Sequence, residues 1–239
     1  MPTALALLSG AAWTVTCIAC IVLGFRHRTS CMPAVPLALN FSWECVYAVQ
    51  GLRQPFTVQT GIDVVWAVFD AVIIVTFLRF GRAEQPRLLP RARFTSWIVL
   101  LLATAFAVQL LFIHEFGPHA ATRYSAFLMN VVMSIAFLGL WAARPARRGQ
   151  SLVIAWSKFV GTLAATALSG VVEDSAFILG LGMICAVFDA LYVLVLLHRA
   201  DPDQTGSAPE QADDTTARTL PTTHDRRARP AATNGRTAS

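Results

Sequence analysis

The sequence predicts an all-α, polytopic membrane protein: a bundle of seven transmembrane helices with its N-terminus outside and its C-terminus in the cytoplasm. Three observations support this fold class. Of the 239 residues, 55% are hydrophobic and only 14% are charged, whereas soluble domains carry roughly 25% charged residues. Apolar stretches long enough to cross a bilayer recur along the chain. Arginines cluster between these stretches on alternate sides, as membrane topology requires.

A spanning helix needs roughly 20 mostly apolar residues, and seven stretches meet this requirement. Clusters of Arg, Pro and Gly separate them. The second stretch is the most polar, and the sixth contains Lys158, the only lysine, which we expect to snorkel to the membrane interface. In order, the predicted spans cover residues 3–25, 33–52, 62–80, 96–115, 121–142, 151–172 and 175–198.

The arginines predict the orientation of the bundle. Counting the adjoining span ends, the connections after the first, third and fifth spans hold ten arginines, whereas those after the second, fourth and sixth hold only Arg53 and Arg123. Because cytoplasmic loops are enriched in Arg and Lys, the arginine-rich loops are expected in the cytoplasm. The same bias accounts for the net charge of +5. The arginines form no patch interleaved with aromatic residues, so a nucleic-acid partner is not expected.

Residues 1–199 therefore form the predicted membrane domain, and residues 200–239 form a polar cytoplasmic tail. The tail consists mainly of Ala, Asp, Thr, Arg and Pro. Such a segment cannot bury enough apolar surface to fold, which predicts disorder. The bias toward Arg over Lys, together with abundant Ala, suggests a GC-rich genome. We therefore expect a multi-pass protein of a bacterial plasma membrane.

Three carboxyl groups lie deep inside predicted spans: Glu44, Asp70 and Asp189. At about 1.5 Å of rise per residue, Glu44 and Asp70 lie roughly 12 Å from the outer end and Asp189 roughly 20 Å. All three are therefore expected to be able to face one cavity. Ionisable groups at such depth usually serve a function, although hydrogen bonding between helices is the structural alternative. An unpaired carboxyl in a dry pocket is expected to keep its proton and to donate it.

Polar and aromatic residues accompany these acids at helical spacing. Asn40 stands four residues before Glu44 on the same face of the helix, and we expect it to orient the carboxyl group. Aromatic faces in a dry cavity would stabilise a carbocation, by roughly 2 kcal/mol or more when desolvated. For each aromatic residue taken singly, a place in the core or against lipid is the alternative. The aromatic candidates are Trp43, Tyr47, Trp66 and Tyr192.

Three motifs resemble those of the small seven-span integral membrane terpene cyclases of meroterpenoid and indole-terpenoid biosynthesis. The segment "ALNFSWECVYAV" at 38–49 resembles that family's Asn-x-x-Trp-Glu-x-x-Tyr stretch. The segment "VVWAVFDAVI" at 64–73 resembles its third-span Trp-x-x-x-Asp, and "ICAVFDALYVLVLL" at 184–197 its last-span Asp-x-x-Tyr. The length, the number of spans and the order of the motifs agree over residues 1–198.

The resemblance implies a proton-initiated cyclase of isomerase or lyase type. A general acid would protonate the terminal epoxide or alkene of a prenylated, typically farnesylated, acceptor, and carbocation ring closure would follow without a metal or other cofactor. Glu44 and Asp189 match the family acids, one as proton donor and the other as its partner or the final base. Asp70 is a third candidate, for positioning. The resemblance assigns substrate binding to Asn40, Trp43, Tyr47, Trp66 and Tyr192.

The implied partners are a prenylated small molecule and the lipid bilayer, with functional coupling to a prenyltransferase and an epoxidase. The DxDD and DDxxD strings of soluble cyclases are absent from the predicted spans. These spans therefore show no Mg²⁺-diphosphate site of the kind that uses clustered carboxylates.

Three other classes remain open from the sequence. A proton-coupled transporter also uses buried carboxylates, but it predicts repeat symmetry and matching breaks in its helices, and neither is evident. A retinal protein would need a lysine deep in its last span, and this span has none. A purely structural or assembly protein is the third.

Overall fold

The computed structural model describes residues 2–56, 58–84, 90–144 and 147–198, and these residues are helical almost throughout, with no strand among them. The predicted tail at 200–239 lies outside the described residues. The all-α prediction is confirmed. A 3₁₀ turn, Gly81–Glu84, extends α3, and a π-helical turn, Ala167–Val172, extends α5. The helices are α1 (Pro2–His27), α2 (Ala34–Leu52), α3 (Val58–Phe80), α4 (Arg91–Ala143), α5 (Leu152–Thr166) and α6 (Ala176–His198).

Five helical stretches among the described residues are long and apolar enough to cross a membrane. They comprise α1, α3 with its 3₁₀ turn, α4, α5 with its π turn, and α6. The count is lower than the seven predicted spans for two reasons. Helix α2 is not among the five, and the polar residues Asn40, Glu44 and Gln50 lower the hydropathy of its 19 residues. Helix α4 is counted once although it contains two predicted spans.

Helix α4 contains a sharp break at Gly117. This residue has non-helical dihedral angles (φ 71°, ψ 161°), and Pro118 follows it. A positive φ is readily adopted by glycine and disfavoured for other residues, and proline cannot donate the hydrogen bond that would continue the preceding turn. A straight helix of 53 residues would be about 80 Å long, more than twice the roughly 30 Å of a bilayer core. The break divides α4 into two arms, 91–116 and 118–143.

The two arms run in opposite directions. Phe94, at the start of the first arm, stacks on Phe77 near the end of α3, with 5.8 Å between ring centroids. Arg144, directly after the second arm, forms an ion pair with Glu84, which follows α3. Both ends of α4 therefore lie beside the same end of α3.

Arginines of the α4–α5 connection tie several helix ends together, and we call this region the basic end. Their guanidinium groups donate hydrogen bonds to main-chain carbonyls of other segments: Arg144 to Ser30 (2.6 Å), Arg147 to Leu196 (2.6 Å) and Arg148 to His27 (2.9 Å). The ends of α1, α4 and α6 and the start of α5 thus meet here. Successive helical segments alternate in direction as a result.

The main apolar core lies among α1, α3, the second arm of α4 and α6, where Cys20, Ile73, Phe137 and Tyr192 are almost fully buried. The five cysteines are free, and four of them are buried as small packing residues. Many large apolar side chains instead face outward, as expected for helices surrounded by lipid. Examples are Leu7, Val22, Leu100, Leu111, Val187 and Leu194.

Gly182 is required where α6 approaches α5. A Cβ atom at this position would collide with the Thr166 side chain, whereas a Cβ at Gly180 would meet no atom within 4 Å. We predict that Gly182→Ala lowers the free energy of unfolding by about 1–3 kcal/mol, because the contact is already fully packed. Gly180→Ala is the control and should cause no such loss.

Thermal unfolding of the detergent-purified variants measures this difference. Adding Thr166→Ala to Gly182→Ala should restore most of the lost stability, because it removes the colliding atoms. Equal melting temperatures for the two single glycine variants would contradict the prediction.

Candidate active site

A cavity of about 170 Å³ lies among α1, α2, α3, the second arm of α4 and α5. Its walls are predominantly apolar, with several large aromatic rings and a few polar groups. The aromatic wall residues are Trp13, Trp43, Trp66 and Phe127, and the polar wall residues are Ser9, Asn40, Glu44, Asn130 and Thr162. Among the described residues that line the cavity, only Glu44 of α2 carries a carboxyl group.

Glu44 stands on this wall and is only 3% exposed. Its Oε2 atom has no hydrogen-bond partner among the described residues. A buried polar atom without a partner costs roughly 1–3 kcal/mol, so such atoms in folded proteins call for an explanation. Because Glu44 belongs to the cavity wall, a ligand bound there is a candidate for the missing partner.

Asp70 lies beside the cavity through a contact with Asn40. The Asn40 Nδ2 atom donates a hydrogen bond of 2.6 Å to Asp70 Oδ2, and Asp70 is fully buried. We expected Asn40 to orient Glu44, whereas the hydrogen bond described for its amide goes to Asp70. Helical spacing places Asn40 and Glu44 on one face of α2. It cannot show that α3 brings the Asp70 carboxyl group close enough to accept from the Asn40 amide.

Two tryptophans present their rings to the cavity in fixed orientations. The indole N–H of Trp43 donates to the Thr122 carbonyl at 3.1 Å, and that of Trp66 donates to Thr14 Oγ1 at 3.0 Å. Since these polar edges are satisfied elsewhere, the rings offer apolar faces to the cavity. Tyr47 is not a wall residue; its ring packs against Trp43 at 4.9 Å between centroids.

Asp189 does not line the cavity, and it has a cationic partner. Lys158 Nζ is 2.7 Å from Asp189 Oδ1 and 2.9 Å from Oδ2, and it also contacts Ser134 Oγ at 2.7 Å. The expectation that Lys158 snorkels to the interface is wrong, because the residue is fully buried. The three predicted acids therefore do not share one cavity. The packing of α5 against α6, which creates this pair, cannot be read from either helix alone.

Tyr192 also lies outside the cavity. It is 1% exposed, its ring packs against Phe137 at 5.4 Å between centroids, and its hydroxyl donates to Gln150 Oε1 at 3.4 Å. It therefore belongs to the core towards the basic end.

The sequence reasoning missed Asn130, whose amide donates to Thr162 Oγ1 at 3.0 Å on the cavity wall. The signal that could have found it is a polar amide inside the apolar fifth predicted span. Within the described ranges, no group of three or more His, Cys, Asp or Glu side chains is placed to hold a metal ion.

Apolar helices enclosing an aromatic cavity with an unpartnered carboxyl oxygen define a polytopic membrane protein with an internal acid site. Residues 1–200 match the Pyr4-like transmembrane terpene cyclases. The chain belongs to this family, which confirms the resemblance drawn from its motifs.

Individual relatives are curated terpene cyclases of fungi. The chain is 29% identical to terpene cyclase dpmpB of Macrophomina phaseolina over 66% of this chain and 65% of that protein. It is 24% identical to terpene cyclase pyr4 of Aspergillus fumigatus over 80% and 83%, respectively. For terpene cyclase cle7 of Aspergillus versicolor the identity is 31% over 67% of each chain. The match thus spans just under two thirds of dpmpB.

No solved structure matches the chain. The apolar helices and the family support a multi-pass membrane protein, but the fungal relatives give no support to the expected bacterial plasma membrane.

The contact between Asn40 and Asp70 should be energetically coupled. Asn40→Leu alone leaves a buried carboxyl without its amide donor, and we predict a loss of about 1–3 kcal/mol in the free energy of unfolding. Asn40→Leu/Asp70→Leu replaces both partners by apolar groups, so its loss should be smaller than the sum of the single losses. A double-mutant cycle by thermal unfolding in detergent measures this coupling. Strictly additive losses would show that the pair contributes nothing.

Proposed function

We propose that the chain is a terpene cyclase in which Glu44 protonates the terminal epoxide or alkene of a prenylated acceptor. The observation that supports this most is the unpartnered Oε2 atom of a carboxyl group that is 3% exposed on an aromatic cavity wall. A carboxylate in such surroundings would lack the solvation or ion pairing that it needs. The protonated form is therefore favoured, and it can donate its proton to a weakly basic group.

The reaction begins when the Glu44 proton moves to an epoxide oxygen, breaking a C–O bond, or to an alkene carbon, using its π electrons to form a C–H bond. Either route leaves an electron-poor carbon. A neighbouring alkene of the prenyl chain then supplies its π electrons to form the ring bond, and the positive charge moves along the chain. Loss of a proton or attack by a nucleophile on the substrate ends the sequence.

The tryptophan rings would stabilise this moving charge. Trp13, Trp43 and Trp66 contribute to the cavity wall, and cation–π attraction is worth roughly 2 kcal/mol or more per contact when the site is dry. The bonds from Trp43 to Thr122 and from Trp66 to Thr14 hold two of these rings in place. Tyr47 supports the Trp43 ring from outside the cavity.

Asp70 and Asn40 have a positioning role in this proposal. Their hydrogen bond joins α2 to α3 next to the cavity and holds the segment of α2 that carries Glu44. Asn40 also contributes to the wall, where it can contact the substrate.

The size of the cavity points to which part of the substrate enters it. A volume of about 170 Å³ is below the roughly 300–1,000 Å³ of sites that enclose drug-sized ligands. We infer that the cavity takes the reacting end of a farnesyl-type chain, while the polar head stays outside. The enzyme would be of isomerase or lyase type and would act after a prenyltransferase and, for an epoxide substrate, an epoxidase.

For the membrane topology, we propose seven spans with the N-terminus outside and the basic end in the cytoplasm. The alternating directions of the helical segments support the inclusion of α2 and of both arms of α4 as separate spans. The arginines at the basic end support the orientation, since cytoplasmic loops carry the excess of positive charge.

We predict that Glu44→Gln abolishes cyclisation, because the amide cannot supply the initiating proton. A positioned general acid contributes roughly 10²–10⁴-fold to a rate, so a loss of at least this size is expected. Membranes containing the protein are incubated with farnesylated aromatic acceptors ending in an epoxide or an alkene, and cyclised isomers of equal mass are measured by mass spectrometry.

Glu115→Gln is the matched control, because Glu115 is an exposed carboxyl group on α4. Activity in Glu44→Gln equal to that in this control would refute the role of Glu44. A solute-dependent proton flux without any cyclised product would identify a transporter instead.

A further inference from the structure

Lys158 is buried between α5, α6 and the second arm of α4, with its ammonium group fully occupied. Its three N–H donors match three acceptor atoms within 2.9 Å: both carboxylate oxygens of Asp189 and the hydroxyl oxygen of Ser134. The side chains of Lys158 and Asp189 are each only 1% exposed. Two short contacts from one ammonium group to both oxygens of a carboxyl are the geometry of an ion pair.

This ion pair lies directly behind the cavity wall. The ammonium nitrogen is 5.7 Å from the centroid of the Trp13 ring, and Trp13 belongs to the wall. Two further wall residues are close in sequence to the pair's partners: Thr162 stands one turn after Lys158, and Met133 precedes Ser134. The charge balance of the pair is therefore felt where a carbocation would form.

We propose that Lys158 is a positioning residue that holds Asp189 as its carboxylate counter-ion, so that Asp189 is not the proton donor. This inference rests on the proposed cyclase function and deepens it by separating the roles of the two acids that the family motifs match. Glu44 is the acid of the cavity. The Lys158–Asp189 pair gives the region behind Trp13 no net charge.

The role of Asp189 in this arrangement is electrostatic. Without Asp189, an unpaired ammonium group would stand behind Trp13 and repel the positive charge that develops in the cavity, and in a dry interior such repulsion is strong. Without both charges, the wall is again neutral. The thiol of Cys185, one turn before Asp189, is also buried there, but as a neutral group it cannot replace the carboxylate.

Activity measurements distinguish a counter-ion from a proton donor. Asp189→Asn should lower the cyclisation rate by roughly 100-fold or more, because it strands a buried charge. Lys158→Met/Asp189→Asn should recover to within about tenfold of the unmodified protein, because the two changes together leave no uncompensated charge. A donor lost by substitution cannot be regained by removing Lys158. The proposal would be overturned if the double variant were as inactive as Asp189→Asn while thermal unfolding showed that both variants are folded.

Infrared difference spectroscopy tests the ionisation state without relying on activity. The C=O stretching band of protonated carboxyl groups should be unchanged in Asp189→Asn, because Asp189 carries no proton to lose. The same band should grow in Lys158→Met, because Asp189 loses its counter-ion and takes up a proton. Loss of protonated-carboxyl signal in Asp189→Asn would overturn the proposal. If the unmodified protein catalysed no cyclisation, the proposed cyclase function would be refuted. The ionisation state of Asp189 would still be decided by the spectra, which need no activity.

Discussion

A polar side chain buried among lipid-facing helices loses its hydration, and only a protein partner can replace what water supplied. This constraint accounts for most of the polar contacts inside the bundle. Lys158 is paired with Asp189, Asn40 donates to Asp70, and the indole N–H groups of two wall tryptophans are bonded to threonines. Each contact joins two helices, so satisfying the polar groups also determines which helices pack together.

Glu44 is an exception to this pattern, because its Oε2 atom has no hydrogen-bond partner among the described residues. The residue lies on the wall of a cavity that can hold a ligand. Elsewhere in the bundle, a buried polar atom without a partner only destabilises the fold. On a cavity wall, the same atom can be satisfied by a bound ligand, and the faces of the neighbouring aromatic rings attract positive charge. The same lack of solvation favours the protonated form of a carboxyl group and strengthens the attraction between a tryptophan ring and a cation.

The fold was largely predictable from the sequence because lipid imposes its requirements locally. Each helix must be apolar over its own length, so the predicted spans coincide with observed helices, and the break before Pro118 falls between the fourth and fifth. The partners of the polar groups were not predictable in the same way. Lys158 was expected at the interface because nothing in α5 shows that α6 brings Asp189 to it. Asn40 was assigned to Glu44 because spacing within α2 is visible and the approach of α3 is not.

The same distinction explains why motif matching alone left the two acids equivalent. Glu44 and Asp189 are both carboxyl groups in apolar helices, and their sequence surroundings are similarly aromatic. Their difference arises from helix packing. Lys158 of α5 donates to Asp189. Glu44 has no cation among its described contacts, and the Asn40 amide of its own helix donates to Asp70 of α3. A carboxyl group facing a cation is stabilised as an anion, and one facing aromatic rings is stabilised in its neutral form. Helix packing, rather than residue type, therefore distinguishes the surroundings of the two carboxyl groups.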